Sequence, residues 1–346
     1  MGSPTYYTTA DERKMNFLGK KLTPYKDVFI VAELSCNHEG SLNQALQLIE
    51  AAKDSGADAV KIQAYTPDEM TLNCDEDDFN AKVWNDLCLW ELYSKTQTPL
   101  EWLPELFAKA EQLNIPMFSS VFGEKSLAAL EAVDCPVYKI ASFEVNDTNL
   151  LSKVVITGKP IVLSLGVATE NEIIRAVEIC GYDSILMHCV SEYPTKFVNL
   201  NFSRIRDLDY PIHGFSDHTL TSIASQIAIS MGVTIIEKHI CLTGTCEDAS
   251  FSLRPYEFKT FVNDCRRTAE MFNNFPAKNT FIGMTYKRSL YVVKDIKQGE
   301  ELTVENIKSI RPGFGLDPDL LPDVLGRTAK RDLEAGTALK GDMYYD

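Results

Sequence analysis

The stretch VTIIEKHI, residues 233–240, decides the fold prediction because it joins a buried strand to three side chains that are costly to bury. Residues 233–236 are apolar or β-branched and indicate a strand that is covered on both faces. Glu237, Lys238 and His239 follow directly, and charged side chains are rarely buried unless they are paired. A strand that ends in this way is expected where several strand ends converge on a functional site.

Seven further apolar runs along the chain have the same character, and helix-period segments lie between them. The eight predicted strands are 28–34, 58–65, 115–122, 135–142, 160–166, 184–190, 211–218 and 233–240. Eight βα units over about 250 residues predict an α/β protein whose first domain is a (β/α)8 TIM barrel. A doubly wound open sheet is the main rival, but no glycine-rich dinucleotide loop follows the first strand.

The sequence changes character at residue 287, where short strand pieces, glycine turns and single helical turns begin. We therefore predict a barrel domain over residues 1–275, a linker over 276–286 and a small β-rich domain over 287–346. A domain of about 60 residues is small enough to depend on the barrel or on a partner chain.

Composition and charge narrow the class of partner. The chain has 346 residues with 45% hydrophobic and 24% charged side chains, and its formal net charge is −15. This charge argues against nucleic acid or an anionic membrane as a partner. The nine cysteines form no paired spacing, which favours reduced thiols over disulfides. The polar N-terminal segment has no secretion-signal pattern, and no apolar run is long enough for a membrane span, so we expect a cytoplasmic protein.

The connection over residues 66–100 is unusually long for a βα loop. Its acidic run, residues 75–78, is typical of a solvated surface loop. Long loops at the C-terminal face of a barrel often cover the substrate, so we predict that this connection forms a lid.

Polar side chains occupy the C-terminal ends of all eight predicted strands. In chain order they are Glu33, Lys61, Gln63, Ser119, Ser120, Lys139, Ser142, Glu144, Ser164, His188, Tyr193, Ser216, Asp217, His218, Glu237, Lys238 and His239. In a TIM barrel these ends meet at one opening, where active sites lie. A single charge at such an end is typical of a rim residue, whereas eight converging polar ends indicate an active site.

Two lysines among these residues predict a phosphate pocket. Lys61 and Lys139 supply fixed positive charge, and the hydroxyl donors are Ser120, Ser142, Ser164 and Ser216. Because the whole chain is strongly negative, an anionic substrate needs such a local cluster.

Two histidines predict a metal site. A lone histidine at a strand end is more often a core imidazole bonded to backbone, but His218 and His239 end neighbouring strands and can share one divalent ion. With two imidazoles and otherwise oxygen ligands or water, Mn²⁺ or Mg²⁺ is favoured over a structural zinc. A metal beside a phosphate pocket indicates a phosphorylated substrate that reacts with a carbonyl compound.

Motifs in both domains resemble the sialic acid synthase family. They are AELSCNHEGSLNQAL, ADAVKIQAY, YKIASFEVND, GFSDHT and IEKHI in the barrel and RSLYVVKDIKQGEELTVENIKSIRPGFGL in the tail. The tail resembles that family's antifreeze-like (SAF) domain. The motifs occur in order over residues 28–342, so the resemblance covers almost the whole chain.

The resemblance implies a condensation of phosphoenolpyruvate with an amino-sugar aldehyde to give a nine-carbon 2-keto acid. It implies a divalent metal cofactor, Mn²⁺ first and Mg²⁺ or Co²⁺ as alternatives, held by His218 and His239. Its implied phosphoenolpyruvate contacts are Lys61, Ser120, Lys139, Ser142, Ser164 and Ser216. Its implied sugar contacts are Glu33, Gln63, Tyr193 and Asp248, with Glu144 near the reacting centre and Glu33 as the favoured general base. It also implies a homodimer with a swapped SAF domain, in which Arg311 reaches the partner's active site.

Within the family, the stretches AYTPDEMTLN, LWELYSKTQTPLEW, SFEVND and RPGFGLDP look most like the branch that makes pseudaminic acid. Phe143 would place an aromatic ring near the sugar, which suits a 6-deoxy sugar such as a 2,4-diacetamido-2,4,6-trideoxy-altrose. Legionaminate synthases also take a 6-deoxy sugar, so this argument leaves them open. The N-acetylneuraminate synthases, which use N-acetylmannosamine, are the other alternative in the family.

Two readings lie outside the family. Other metal-dependent phosphoenolpyruvate-condensing barrels make ketodeoxy sugar acids, but they are not expected to carry the tail after residue 287. A carbohydrate-binding or ice-binding protein with an inert barrel would have no need to keep Lys61, Lys139, His218 and His239 together.

Overall fold

The computed structural model of the chain describes residues 14–74, 76–80, 87–273 and 281–345. The chain divides into two compact units, Met1–Asn273 and Asn274–Asp346. The polar N-terminal segment, Asp75 of the acidic run and residues 276–280 of the predicted linker lie outside the described residues.

The first unit is a closed barrel of eight parallel strands, which confirms the predicted TIM barrel. Around the barrel the strands follow the order β10-β3-β4-β5-β6-β7-β8-β9. Their bounds are β3 Phe29–Glu33, β4 Ala59–Ala64, β5 Met117–Val121, β6 Tyr138–Ile140, β7 Ile161–Ser164, β8 Ile185–Cys189, β9 Ile212–Asp217 and β10 Ile235–His239. Each lies within one predicted run. Continuous apolar runs form these strands because a parallel sheet is covered on both faces.

Helices cover the barrel between the strands. They are α1 Leu42–Asp54, α2 Pro67–Met70, α3 Asp77–Asn80, α4 Leu89–Thr96, α5 Leu103–Gln112, α6 Glu124–Glu131, α7 Thr148–Ile156, α8 Glu170–Cys180, α9 Ser203–Asp207, α10 Ile223–Ser230 and α11 Pro255–Asn273, with 3₁₀ turns at Leu100–Trp102, Phe197–Asn199 and Ala249–Phe251. Polar caps begin several of them: Ser41 caps α1 and Asp147 caps α7. Among the described residues, no helix is long and apolar enough to cross a membrane.

An N-terminal hairpin precedes the barrel. It consists of β1 Met15–Phe17 and β2 Lys20–Leu22, paired antiparallel. The Phe17 ring packs edge-to-face on Phe29 and Phe118, with centroid distances of 5.1 and 5.7 Å. Phe17 and Leu22 therefore belong to the barrel core.

The strand register sets neighbouring functional side chains at the same height. Glu33 pairs with Lys61 on one side and with His239 on the other. Ser216 pairs with both Cys189 and Glu237. Partners in parallel register point to the same side of the sheet, so these side chains all face the interior of the barrel.

The second unit has its own small sheet and core. Its elements are α12 Phe281–Tyr286, β11 Ser289–Val292, β12 Ile307–Ile310 and α13 Leu321–Val324, with 3₁₀ turns at Pro318–Leu320 and Gly341–Met343. A cluster of buried side chains holds it together: Leu290, Val292, Ile296, Leu302, Ile307, Val324, Ala329, Leu333 and Leu339. Helix α12 occupies most of the segment that we expected to be a linker.

Candidate active site

A cavity of about 260 Å³ lies at the C-terminal ends of the barrel strands. Twelve of the fourteen predicted site residues line it: Lys61, Gln63, Ser120, Lys139, Ser142, Glu144, Ser164, Tyr193, Ser216, His218, His239 and Asp248. The structure thus brings together side chains from seven strands or the loops that follow them. Of the other two, Glu33 contacts the cavity lysine Lys61, and Arg311 belongs to the second unit.

Lys61 and Lys139 share a buried cluster with two carboxylates. Lys61 Nζ lies 2.6 Å from Glu33 Oε2 and 3.8 Å from Glu237 Oε2. Lys139 Nζ lies 2.5 Å from Glu237 Oε1. All four side chains are almost completely buried. Glu237 lines the cavity and contacts both lysines. The sequence placed it among the converging strand ends but indicated no role for it.

The opposite charges in this cluster shift one another's pKa values and so stabilise the ionised forms of Glu237 and Lys61. Burial alone would raise the pKa of the Glu237 carboxyl, but the ammonium groups of Lys139 and Lys61 outweigh it and lower that pKa. Burial alone would lower the pKa of Lys61, but Glu237 and Glu33 outweigh it and raise that pKa. Burial also raises the pKa of Glu33, although Lys61 opposes this effect. Glu237 is thus the carboxylate that most firmly keeps its charge.

The four predicted serines surround the lysines. Lys61 Nζ donates to Ser120 Oγ at 3.1 Å, and Ser216 Oγ donates to Glu237 Oε1 at 2.8 Å. The hydroxyls of Ser142 and Ser191 lie 2.7 Å apart. Ser164 Oγ is buried without a hydrogen-bond partner among the described residues. A buried hydroxyl of this kind is costly unless a ligand completes its hydrogen bond.

Gly166 leaves space for the hydrogen-bonded side chains of Ser142 and Ser191. A Cβ on Gly166 would lie 2.4 Å from Ser191 Oγ and 2.7 Å from Cys189 Sγ, so a larger residue there would displace these side chains. The loop that carries Gly166 is fixed by Arg204, whose guanidinium donates to the carbonyl oxygens of residues 165, 166 and 168. Ser191 and Arg204 were not predicted as site residues. Ser191 directly follows the predicted strand 184–190, whereas Arg204 lies on α9, away from the strand ends.

His218 and His239 line the cavity with their ring centroids 5.5 Å apart. His218 Nδ1 lies 2.9 Å from the carbonyl oxygen of Val190, which requires an N–H there and leaves the lone pair on Nε2, which lies 3.3 Å from Ser216 Oγ. His239 Nδ1 is buried and makes no hydrogen bond within the described residues, with Asp248 Oδ2 at 3.8 Å. Burial lowers the pKa of His218 to about 4, and burial lowers that of His239 as well. A neutral imidazole keeps a lone pair on one ring nitrogen, which is the form that a metal requires.

No group of three or more His, Cys, Asp or Glu side chains in the described part of the chain is arranged to hold a metal. The two imidazoles would thus form an open site, in which water or substrate oxygens complete the coordination. Such a donor set fits a catalytic rather than a closed structural ion.

A second set of polar side chains, Ser35, Gln63 and Asp248, lies beside the imidazoles. Ser35 Oγ donates to Asp248 Oδ2, and Gln63 Nε2 donates to Ser35 Oγ at 3.1 Å and to Glu33 Oε1 at 3.0 Å. Ser35 has φ 45°, in the left-handed region that few non-glycine residues adopt. Tyr193 packs on His218 with a centroid distance of 4.4 Å.

Glu144 is a cavity carboxyl whose pKa lies near neutral pH. Burial raises its pKa to about 7, with a smaller contribution from Asp147. Its Oε2 atom is buried and accepts no hydrogen bond from the residues described. Glu144 can therefore exchange a proton near neutral pH, as a general acid or base must.

The remaining lining residues are largely apolar. They include Tyr65, Met70, Leu92, Tyr93, Phe122 and Phe143. Met70, Leu92, Tyr93 and Thr96 belong to the connection over residues 66–100, of which residue 75 and residues 81–86 lie outside the described ranges. The described part of the predicted lid thus contributes to the cavity wall.

Five polar strand-end residues of the sequence prediction do not line the cavity: Glu33, Ser119, His188, Asp217 and Lys238. Lys238 is fully buried outside it, with its Nζ 3.3 Å from Asp217 Oδ1. His188 stacks on Phe215 with a centroid distance of 5.8 Å. Successive side chains of a strand point to opposite sides of the sheet, so Glu237 and His239 face the cavity and Lys238 does not.

Comparisons with known proteins find matches over both parts of the chain. Residues 48–275 match the NeuB family, and residues 287–344 match the SAF domain. The chain is 41% identical over 329 residues to pseudaminic acid synthase of Campylobacter jejuni subsp. jejuni serotype O:23/36, covering 91% of this chain and 96% of that protein. It is 30% identical over 327 residues to N,N'-diacetyllegionaminic acid synthase of Campylobacter jejuni subsp. jejuni serotype O:2, covering 89% and 97%.

A solved structure shows the same architecture over the whole length. The spore coat polysaccharide biosynthesis protein SpsE of Bacillus subtilis superposes with a TM-score of 0.65 at 28% identity, covering 96% of this chain and 99% of that chain. The family match and the relatives confirm the resemblance expected from the sequence. The chain therefore belongs to the NeuB family, and it is an enzyme.

Proposed function

We propose that this enzyme condenses phosphoenolpyruvate with 2,4-diacetamido-2,4,6-trideoxy-altrose and water, giving pseudaminic acid and phosphate. One observation carries the proposal: a single cavity combines two lysines, four serines and two neutral imidazoles, all of which line it. The 41% identity to a pseudaminic acid synthase, against 30% to a legionaminic acid synthase, supports the choice of sugar.

The lysine–serine part of the cavity would hold the phosphate of phosphoenolpyruvate. Lys61 and Lys139 supply positive charge, and the buried Ser164 hydroxyl offers a donor that has no partner within the described residues. Because Glu33 and Glu237 already balance the lysines, an arriving trianion would favour protonation of Glu33, whose pKa is already raised.

His218 and His239 would hold a divalent cation, Mn²⁺ in the first place and Mg²⁺ or Co²⁺ as alternatives. A cation at this position would polarise the aldehyde carbonyl of the sugar. The chain's own part is to present both imidazoles in the neutral form.

The condensation forms a bond between C3 of phosphoenolpyruvate and C1 of the sugar. The aldehyde oxygen gains a proton, water adds at C2 and loses a proton, and the C2–O bond to phosphate breaks. The proton from water needs an acceptor inside the cavity. Glu144 lines the cavity with a pKa of about 7, whereas the carboxylate of Glu33 is held by Lys61 and Gln63. The structure therefore favours Glu144 over Glu33 as the base.

The polar side chains beside the imidazoles would contact the sugar. Asp248, Gln63 and Tyr193 offer acceptors and donors for its hydroxyl and amide groups. We further propose a cytoplasmic homodimer in which Arg311 of the SAF domain completes the partner's cavity.

The test is phosphate release from phosphoenolpyruvate by Mn²⁺-loaded enzyme with four aldehyde sugars: the altrose substrate, its manno isomer, N-acetylmannosamine and arabinose 5-phosphate. We expect turnover with the altrose alone. Turnover with another sugar would keep the chemistry and change the substrate. Absence of turnover with every sugar, in folded and metal-loaded protein, would favour a carbohydrate-binding protein with an inert barrel.

A further inference from the structure

One part of the cavity lining carries no charge and little polarity. We define the apolar wall as Tyr65, Met70, Leu92, Tyr93 and Phe122, which all line the cavity. We propose that the apolar wall selects the sugar by receiving its terminal methyl group, so that the enzyme accepts N-acylated 6-deoxy amino sugars and discriminates against their 6-hydroxy counterparts. This inference rests on the proposed condensation and names the residues that choose its second substrate.

Aromatic contacts and side-chain hydrogen bonds hold Tyr65, Tyr93 and Phe122 of the apolar wall in place. The Tyr65 ring packs edge-to-face on Tyr93 and Phe122, with centroid distances of 5.8 and 5.4 Å. Tyr65 Oη lies 2.8 Å from Thr96 Oγ1, and Thr96 Oγ1 lies 2.8 Å from the carbonyl oxygen of Leu92. The helix α4 that carries Leu92 and Tyr93 is thereby fastened to the end of strand β4.

The part of the apolar wall that contains Met70 is attached to the neighbouring helix α6 by hydrogen bonds. Glu69 Oε1 accepts hydrogen bonds from the backbone N–H groups of Lys125 at 2.7 Å and Ser126 at 3.0 Å. Glu69 Oε2 accepts one from the N–H of Thr66 at 3.0 Å. A Cβ on Gly123 would lie 2.3 Å from Glu69 Oε1, so the carboxylate fits there only beside glycine. The wall is thus preformed, and a rigid apolar surface discriminates better than one that adapts.

The chemistry of the cavity decides which end of the sugar meets the wall. The aldehyde carbon must lie beside phosphoenolpyruvate, near the lysines and imidazoles, and C6 is the chain end farthest from it. Hydroxyl and amide groups find partners at Asp248, Ser35 and Gln63, which hydrogen-bond one another beside the imidazoles. Met70 and Leu92 offer a methyl group only dispersion and burial. A hydroxymethyl group placed there would lose its water without gaining a hydrogen bond.

Two near-isosteric substitutions test the wall. Met70→Gln and Leu92→Asn each place an amide where the wall is apolar, and both positions are only half-buried, which favours a folded protein. The measurement is kcat/KM for the 6-deoxy diacetamido altrose and for its 6-hydroxy analogue, with unfolding temperature as a folding check. Met271→Gln is the matched control, because Met271 is 70% exposed on α11 and does not line the cavity.

We expect wild-type enzyme to prefer the 6-deoxy sugar, and each wall variant to reduce that preference by about tenfold, the scale of one methyl group in a specific pocket. Met271→Gln should leave the ratio unchanged. A ratio that stays at the wild-type value in both folded wall variants would overturn the wall proposal while leaving the condensation intact. Absence of turnover by wild type with either sugar would contradict the proposed function itself, and the wall proposal would fall with it.

Discussion

Glu144 combines burial, a position in the cavity and a pKa of about 7, against an ordinary value of 4.5. If it accepts the proton from water, kcat/KM should rise with pH up to about 7 and then level off. We expect Glu144→Gln to remove this rise and to lower kcat by about 100-fold or more. A pH–rate profile of both enzymes checks this, with Glu124→Gln on the exposed side of the barrel as control. An unchanged profile in Glu144→Gln would assign the base to another group.

The same carboxyl links stability to pH. Its pKa is higher in the folded chain than in the unfolded chain, so the folded state binds the proton more tightly. The free energy of unfolding therefore falls as pH rises from 4.5 to about 7. Glu144→Gln should remove this fall and stabilise the protein at pH 8 by about 3 kcal/mol. Chemical denaturation at pH 5 and pH 8 separates this effect from the loss of activity.

Glu237 lies between two buried lysines, and we expect Glu237→Gln to lower the free energy of unfolding by about 3–5 kcal/mol, because it leaves their charges poorly compensated. An anion that binds the lysines should offset part of this loss. Inorganic phosphate should thus raise the unfolding temperature of the variant more than that of the wild type. An equal rise in both proteins would show that phosphate binds elsewhere. Glu124→Gln, which removes an exposed ion pair with Lys153, serves as the control.

At the scale of elements, the loop after strand β7 depends on one guanidinium. Arg204 donates to three of its carbonyl oxygens, and this loop follows Ser164 directly. We expect Arg204→Lys to raise KM for phosphoenolpyruvate by about tenfold with a smaller change in kcat, since lysine cannot reproduce the fork of hydrogen bonds. Arg206→Lys, at an exposed ion pair with Asp207, is the matched control. A fall in kcat with KM unchanged would argue against this positioning role.

The sequence predicted the barrel well because each strand is a continuous apolar run, and the strand ends located most of the cavity. Three features were not resolved by the sequence, for physical reasons. Alternation along β10 places Glu237 with His239 and sends Lys238 to the other side, which a list of strand ends does not separate. Ser35 and Arg204 act through loop geometry, and this geometry leaves no periodic signal. The apolar wall arises from contacts between a long connection and two strands, which the sequence prediction of a lid did not resolve.

At the scale of the whole molecule, the proposed swapped dimer predicts complementation between two inactive chains. Arg311→Ala and Lys61→Ala chains should each be nearly inactive as homodimers. A heterodimer would contain one complete site, so an equimolar mixture should regain about a quarter of wild-type activity if the chains pair at random. No regain, at heterodimer formation verified by differential tagging, would contradict the intersubunit role of Arg311.

The central claim is that the cavity condenses phosphoenolpyruvate with the amino sugar and breaks the C–O bond of the phosphate ester. The most direct measurement uses phosphoenolpyruvate labelled with ¹⁸O in the bridging oxygen, together with the 6-deoxy diacetamido altrose and Mn²⁺-loaded enzyme. We predict sugar-dependent release of phosphate that carries the label, and a nine-carbon keto acid in equal amount. Unlabelled phosphate, or release that does not need the sugar, would contradict the account.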